Sequence, residues 1–188
     1  MAASSLTELL FVLGVAATLA STSVAQLAWT LDSARASSAA RHVAARLQEA
    51  RVRAIARNRS TALRITSDAR GYLVTVYEDG NRNGVTSADI QSGVDHALAA
   101  GERLPEQFPG VEFGAVPGLP GAEGSAPPGT DPIRVGVSDS VTFTPEGTAT
   151  PGSLYVRGRR GVQFVVRIYG ETGRTRVLGF NARTQTWH

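Results

Sequence analysis

The chain has 188 residues, room for one globular head plus an extension but not for two full domains. Cysteine and lysine are both absent and all 19 basic residues are arginine, which excludes disulfide frameworks, thiolate metal sites, P-loop chemistry and lysine Schiff bases. The net charge of +3 is uneven: residues 1–64 carry eight arginines against three acids, 65–153 four against twelve, and 154–188 seven against one. Such a pattern fits contacts between subunits, a basic face for an anionic partner, or acidic loops screening basic strands within one head.

Between Glu8 and Asp32 lie 23 residues without formal charge, Leu9 to Leu31. As a helix they span about 35 Å, enough to cross a hydrocarbon core of about 30 Å. Ser23-Val24-Ala25 before Gln26 has the small-x-small form of a signal-peptidase site, yet no basic residue precedes the apolar run and Glu8 does. A plain membrane anchor leaves a carboxylate at the lip of an apolar helix unexplained. The stretch Ala3-Ser4-Ser5-Leu6-Thr7-Glu8-Leu9-Leu10-Phe11 resembles the amino terminus of type IV pilins and pseudopilins, with Ala3 and Ser4 where that family usually has glycine and phenylalanine. The resemblance implies cutting by a prepilin peptidase after Ala3, so that residues 1–3 are a leader and Ser4 becomes the methylated terminus. It also implies that Glu8 pairs with the terminal amine of a neighbouring subunit during filament assembly. A buried carboxylate and a buried ammonium are each unfavourable alone and tolerable together.

No proline occurs before Pro105 and no glycine between Gly14 and Gly71, so one long helix is expected over 4–59, with 9–31 its membrane part. Beyond Asp32, Val43, Leu47, Ala50 and Ala54 recur at spacings of four, three and four. They form an apolar stripe for packing on the head, with arginines around it. His42, beside the stripe, reads as a solvated helix residue.

Residues 60–188 read as a β-rich head. Ala62–Thr66 and Tyr72–Glu78 make a hairpin around Asp68-Ala69-Arg70-Gly71. Later strands are expected at Ile133–Val137, Val141–Thr144, Leu154–Arg157, Val162–Tyr169 and Arg174–Phe180. The proline- and glycine-rich stretch 105–132 reads as a loop. Asp79, Asn81, Asn83 and Gly84 occupy positions one, three, five and six of a calcium-type loop, but Ile90 stands where the bidentate glutamate belongs. An Asx-rich turn is the simpler reading, with no metal and no other cofactor expected.

Several pieces in order resemble the GspH and FimT branch of minor pseudopilins: the arginine-rich helix end leading into Ser60-Thr61-Ala62-Leu63-Arg64-Ile65, the turn Tyr77 to Gly84, Phe143-Thr144-Pro145-Glu146-Gly147 and Gly152-Ser153-Leu154-Tyr155-Val156. The resemblance implies an α+β, type IV pilin-like fold with a long amino-terminal transmembrane helix packed on a β-sheet head. It places the chain in the bacterial inner membrane as a single-pass protein with its head in the periplasm. The implied partners are other pseudopilins or pilins in a filament, and the implied machine is a type II secretion system. Gly173-Arg174-Thr175-Arg176 matches a motif that FimT-like members use for DNA during uptake, and Arg157, Arg159 and Arg160 could complete a phosphate cradle with Arg174 and Arg176. Charged strands also guard exposed sheet edges, so a solvated or subunit-pairing edge is the alternative. The alternative within the same resemblance is a type IV pilus minor pilin, FimT-like, that binds DNA during uptake, and a Sec-exported soluble β-domain is a third class. No nucleophile, base and orienting group assemble from this sequence, so no catalysis is expected.

Overall fold

A computed structural model describes residues 5–136 and 138–188; within it, the side chains of residues 19–25 are outside the description. The expected processing residues Ala3 and Ser4 lie outside the described residues, as does Val137 at the end of one expected strand.

The first element, α1, runs unbroken over Leu6–Arg57. The Ser5 side chain caps its start by accepting the Glu8 N–H, one of the donors a helix leaves unpaired there. It stops at Asn58, which takes the left-handed conformation (φ 50°), while the N–H groups of Asn58 and Arg59 close back on Ile55 and Ala54. Asparagine is among the few residues that tolerate this geometry. Among the described residues no helix is long and apolar enough to cross a membrane; the uncharged run 9–31 includes residues 19–25, whose side chains are not described.

The head contains two antiparallel sheets. β1 (Thr61–Asp68) and β2 (Gly71–Glu78) pair in the expected hairpin, and β3 (His96–Ala97) and β6 (Ser140–Phe143) extend it to the order β3-β2-β1-β6. The second sheet has the order β10-β9-β8-β7-β4, built from β4 (Glu112–Phe113), β7 (Gly152–Arg157), β8 (Gln163–Ile168), β9 (Thr175–Asn181) and β10 (Thr186–Trp187), with β5 (Ile133–Val135) also on β7. A short helix α2 (Ser87–Ser92) follows the first hairpin, and α3 (Leu104–Gln107) precedes β4.

The helix and both sheets share one core. Val43, Leu47, Ala50 and Ala54 are all buried there, and the stripe extends downward through Ala36, Ala39 and Ala40. Alanines in this seam let the helix backbone lie close to the strands that carry Leu63, Phe143, Leu154 and Val166. Alternation along β7 and β8 sends Leu154, Val156, Val166 and Ile168 to this core and Tyr155 and Val165 to the opposite face.

That opposite face is covered by the stretch 105–132, which the sequence presented as one loop. It contains most of α3, β4 and a 3-10 turn at Ala122–Gly124, and it sets Leu119 and Ala122 against that face while Val111 and Phe113 join the shared core. Three polar side chains fasten it. Gln163 is buried and donates to the carbonyls of Gly114 and Val156 while accepting the Val116 N–H. Glu123 accepts from Tyr169 and Arg176. The Trp187 indole donates to the Pro120 carbonyl at 3.0 Å.

Candidate functional site

At its base α1 presents apolar side chains on every side. Leu6, Leu9, Leu10, Phe11, Val12, Leu13 and Val15 are all exposed, Leu6 at 77% and Phe11 at 72%. Glu8 stands among them, exposed, in the first helical turn. An all-round apolar helix is the kind that a larger assembly or a lipid phase covers.

Where the uncharged run ends, Asp32 is buried and holds the β7–β8 turn. Its carboxylate accepts the backbone N–H of Arg159 at 3.0 Å and of Arg160 at 2.9 Å. Two successive N–H groups pointing at one anion form a small nest, and a carboxylate held this way gives a strong, charge-assisted contact. Gly158 makes the approach possible, because a Cβ there would meet Asp32 Oδ2 at 2.7 Å. Gly161 closes the turn at φ 78°. In the sequence Asp32 marks only the end of an uncharged run, and Gly158 and Gly161 mark a tight turn around Arg159-Arg160 without showing what it docks on.

Higher up, the arginines around the buried stripe meet head acids. Arg46 Nε lies 2.9 Å from Glu102 and Arg53 Nε 2.9 Å from Glu78. His42 is half-buried, 3.4 Å from Glu102 and tilted against the Phe108 ring, so it is a packing residue of the helix–head junction and not a solvated one. Burial opposes ionisation of Glu102, but hydrogen bonds from Gln107 and Arg46 and the charges of Arg46 and His42 outweigh it, and its pKa falls below the ordinary value. Gln48 Nε2 donates to the Gly173 carbonyl and to Thr175 Oγ1, and Arg51 Nε to the Gly147 carbonyl.

The five arginines proposed for a phosphate cradle do not come together. β7 and β9 flank β8 on opposite sides, and Arg157 is level with Gln163 whereas Arg176 is level with Arg167. They are therefore two strands apart across the sheet and about 13 Å apart along it. Arg157 pairs with Glu112 at 2.6 Å and Arg176 with Glu123 at 2.7 Å. Arg159 and Arg160 belong to the turn on Asp32, and Arg174 is exposed at the other end of β8. Strand order separates arginines that the sequence sets on neighbouring segments.

The calcium-type loop is closed by its own backbone. Asp79 is buried and accepts N–H groups of Asn81, Arg82 and Gly84, and Asn81 Oδ1 accepts that of Asn83. Asp95, also buried, takes those of Gly80 and Thr86. Among the described residues no group of three or more histidine or acidic side chains is placed to hold a metal ion.

The search of curated proteins finds no match. Among solved structures, the minor pseudopilin EpsH from the type 2 secretion system of Vibrio cholerae is similar, at 17% identity and a TM-score of 0.48, over 77% of this chain and 97% of that one. A family model described as type II transport protein GspH matches residues 39–173. This match takes in α1 from residue 39 onward, both sheets as far as β8, and the turn that follows. With well over half of its residues so matched, the chain belongs to the GspH family, the minor pseudopilins of type II secretion.

Proposed function

We propose that this minor pseudopilin is held in the inner membrane by residues 9–31, with its head in the periplasm, and that the same helix carries it into a short filament. Prepilin peptidase would cut after Ala3, and the Ser4 amine of one copy would neutralise Glu8 of another. The observation that carries this reading is the change along α1: among the described residues, exposed apolar groups on every side at 6–15, and a buried stripe from Ala36 to Ala54. Among the described residues, Leu6, Leu9, Leu10, Phe11, Val12, Leu13 and Val15 are left uncovered, and a lipid phase and then neighbouring helices would each cover them.

Two measurements test it. Mass spectrometry of the mature chain should find a methylated Ser4 terminus; a terminus at Gln26 would show signal-peptide removal and sink the filament role. Glu8→Ala should leave the chain in the membrane fraction and lower its incorporation into the filament at least tenfold, with unchanged incorporation counting against the pairing. A DNA-binding role in uptake has less support, because Arg174 and Arg176 stand apart from the other three arginines and Arg176 is already paired.

A further inference from the structure

The base of the head gathers positive charge at one level of the rod. Three segments build this end, residues 28–35, 158–164 and 179–188, and together they contain four arginines and one acid, Asp32. The β7–β8 turn places Arg159 and Arg160 there by docking on Asp32. On one side of that turn Arg35, Arg159 and Arg160 line a small recess with Leu31 and Pro109. On the other, Trp29, Arg160 and Arg183 line a groove of about 700 Å³. All four guanidiniums are exposed, and none has an ion-pair partner among the described residues. The Asp32 carboxylate lies beneath them, occupied by backbone N–H groups, so the collar keeps a net charge near +3.

We infer that this collar seats the head on the phosphates of anionic lipids where α1 leaves the bilayer. The inference rests on the membrane reading of residues 9–31. Trp29, 57% exposed, sits near the end of that run, the depth at which indoles favour the headgroup layer. Arg35 is less than two turns above it, about 9 Å along the axis. Long arginine side chains reach down from there while their forks meet phosphate oxygens two at a time. A phosphate in solution offers the same chemistry but no fixed depth; a bilayer presents a plane of phosphates at the height where these residues stand.

Because the chain has no cysteine, Thr184→Cys next to Arg183 gives a single site for a donor fluorophore on the full-length protein. The chain is reconstituted in vesicles of phosphatidylcholine alone, or with three tenths phosphatidylglycerol, each with a trace of headgroup-labelled acceptor lipid. Energy transfer should be higher in the anionic vesicles and fall in high salt. Replacing Arg35, Arg159, Arg160 and Arg183 by glutamine should abolish the difference, each arginine changing the docked-to-undocked ratio on the order of fivefold. Replacing all four by lysine should largely preserve it, which separates lost charge from lost folding. Carbonate extraction of the same samples reports anchoring. Equal transfer in both vesicle types, or a lipid response unchanged by the glutamine substitutions, overturns the collar while an unextracted chain leaves the anchor intact. Release by carbonate overturns the anchor and the collar with it.

Discussion

Residues 6–31 and residues 32–57 continue one helix without a break, yet they meet their surroundings in opposite ways. Among the described residues the lower half turns leucine, valine and phenylalanine outward; the upper half has one buried seam from Ala36 to Ala54, flanked by Arg46 and Arg53, which pair with the head acids Glu102 and Glu78. The comparison teaches that helix formation and helix burial are separate matters here. Absence of proline and glycine lets the backbone run on, and only the change from uniform to striped patterning decides where the protein's own core begins.

The largest effect should come from the seam. Leu47→Ala, at a fully buried position, should cost the head about 3 kcal/mol, against less than about 0.5 kcal/mol for Leu10→Ala. Both are read from denaturant unfolding of the detergent-solubilised chain, with Trp187 as reporter and Trp29 replaced by phenylalanine. Equal losses would erase the distinction between the halves. The junction itself comes next: Asp32→Ala removes the acceptor of two N–H groups and should cost about 2 kcal/mol. Gly158→Val should give a loss of the same order, since its side chain would strike the Asp32 carboxylate. If the two losses summed in the double variant, the residues would be acting independently; sub-additive losses are expected for a shared contact.

The smallest effect concerns pH. Glu102 has its carboxyl held below its ordinary range in the folded chain, so it contributes stability that is present above its unfolded value, about 4.3. That contribution is lost as the pH falls through the lower folded value. Glu102→Gln should therefore lower stability at neutral pH and flatten the acid limb of a stability profile. An unchanged slope below pH 4.5 would remove Glu102 from the helix–head junction as an electrostatic element.

The long helix, the stripe and the strands of the β1–β2 hairpin were legible because each rests on local periodicity. Val43, Leu47, Ala50 and Ala54 announce their face by spacing alone, and on β2 Tyr72, Val74 and Val76 take the core face by alternation. The stretch 105–132 was not legible as packed structure, because what holds it is distant in sequence: Gln163, Tyr169, Arg176 and Trp187 all lie more than 30 residues downstream. For the same reason the sequence does not show that the five arginines lie apart in the fold. Spacing within a strand says which face a residue takes, but nothing in the spacing says that β8 comes between β7 and β9. Asp32 illustrates the reverse error, an acid visible to anyone counting charges whose partners are backbone N–H groups and leave no mark in the sequence.

Among the contacts by which the rod grips the head, two lie far apart along it, near Asp32 with the β7–β8 turn and near Gln48 and Arg51 with the carbonyls of Gly173 and Gly147. Two fixings set four to five turns apart leave no swivel between them. Whatever lifts or twists the rod must carry the head through the same displacement and the same angle, as a shaft keyed at two points turns its wheel without backlash.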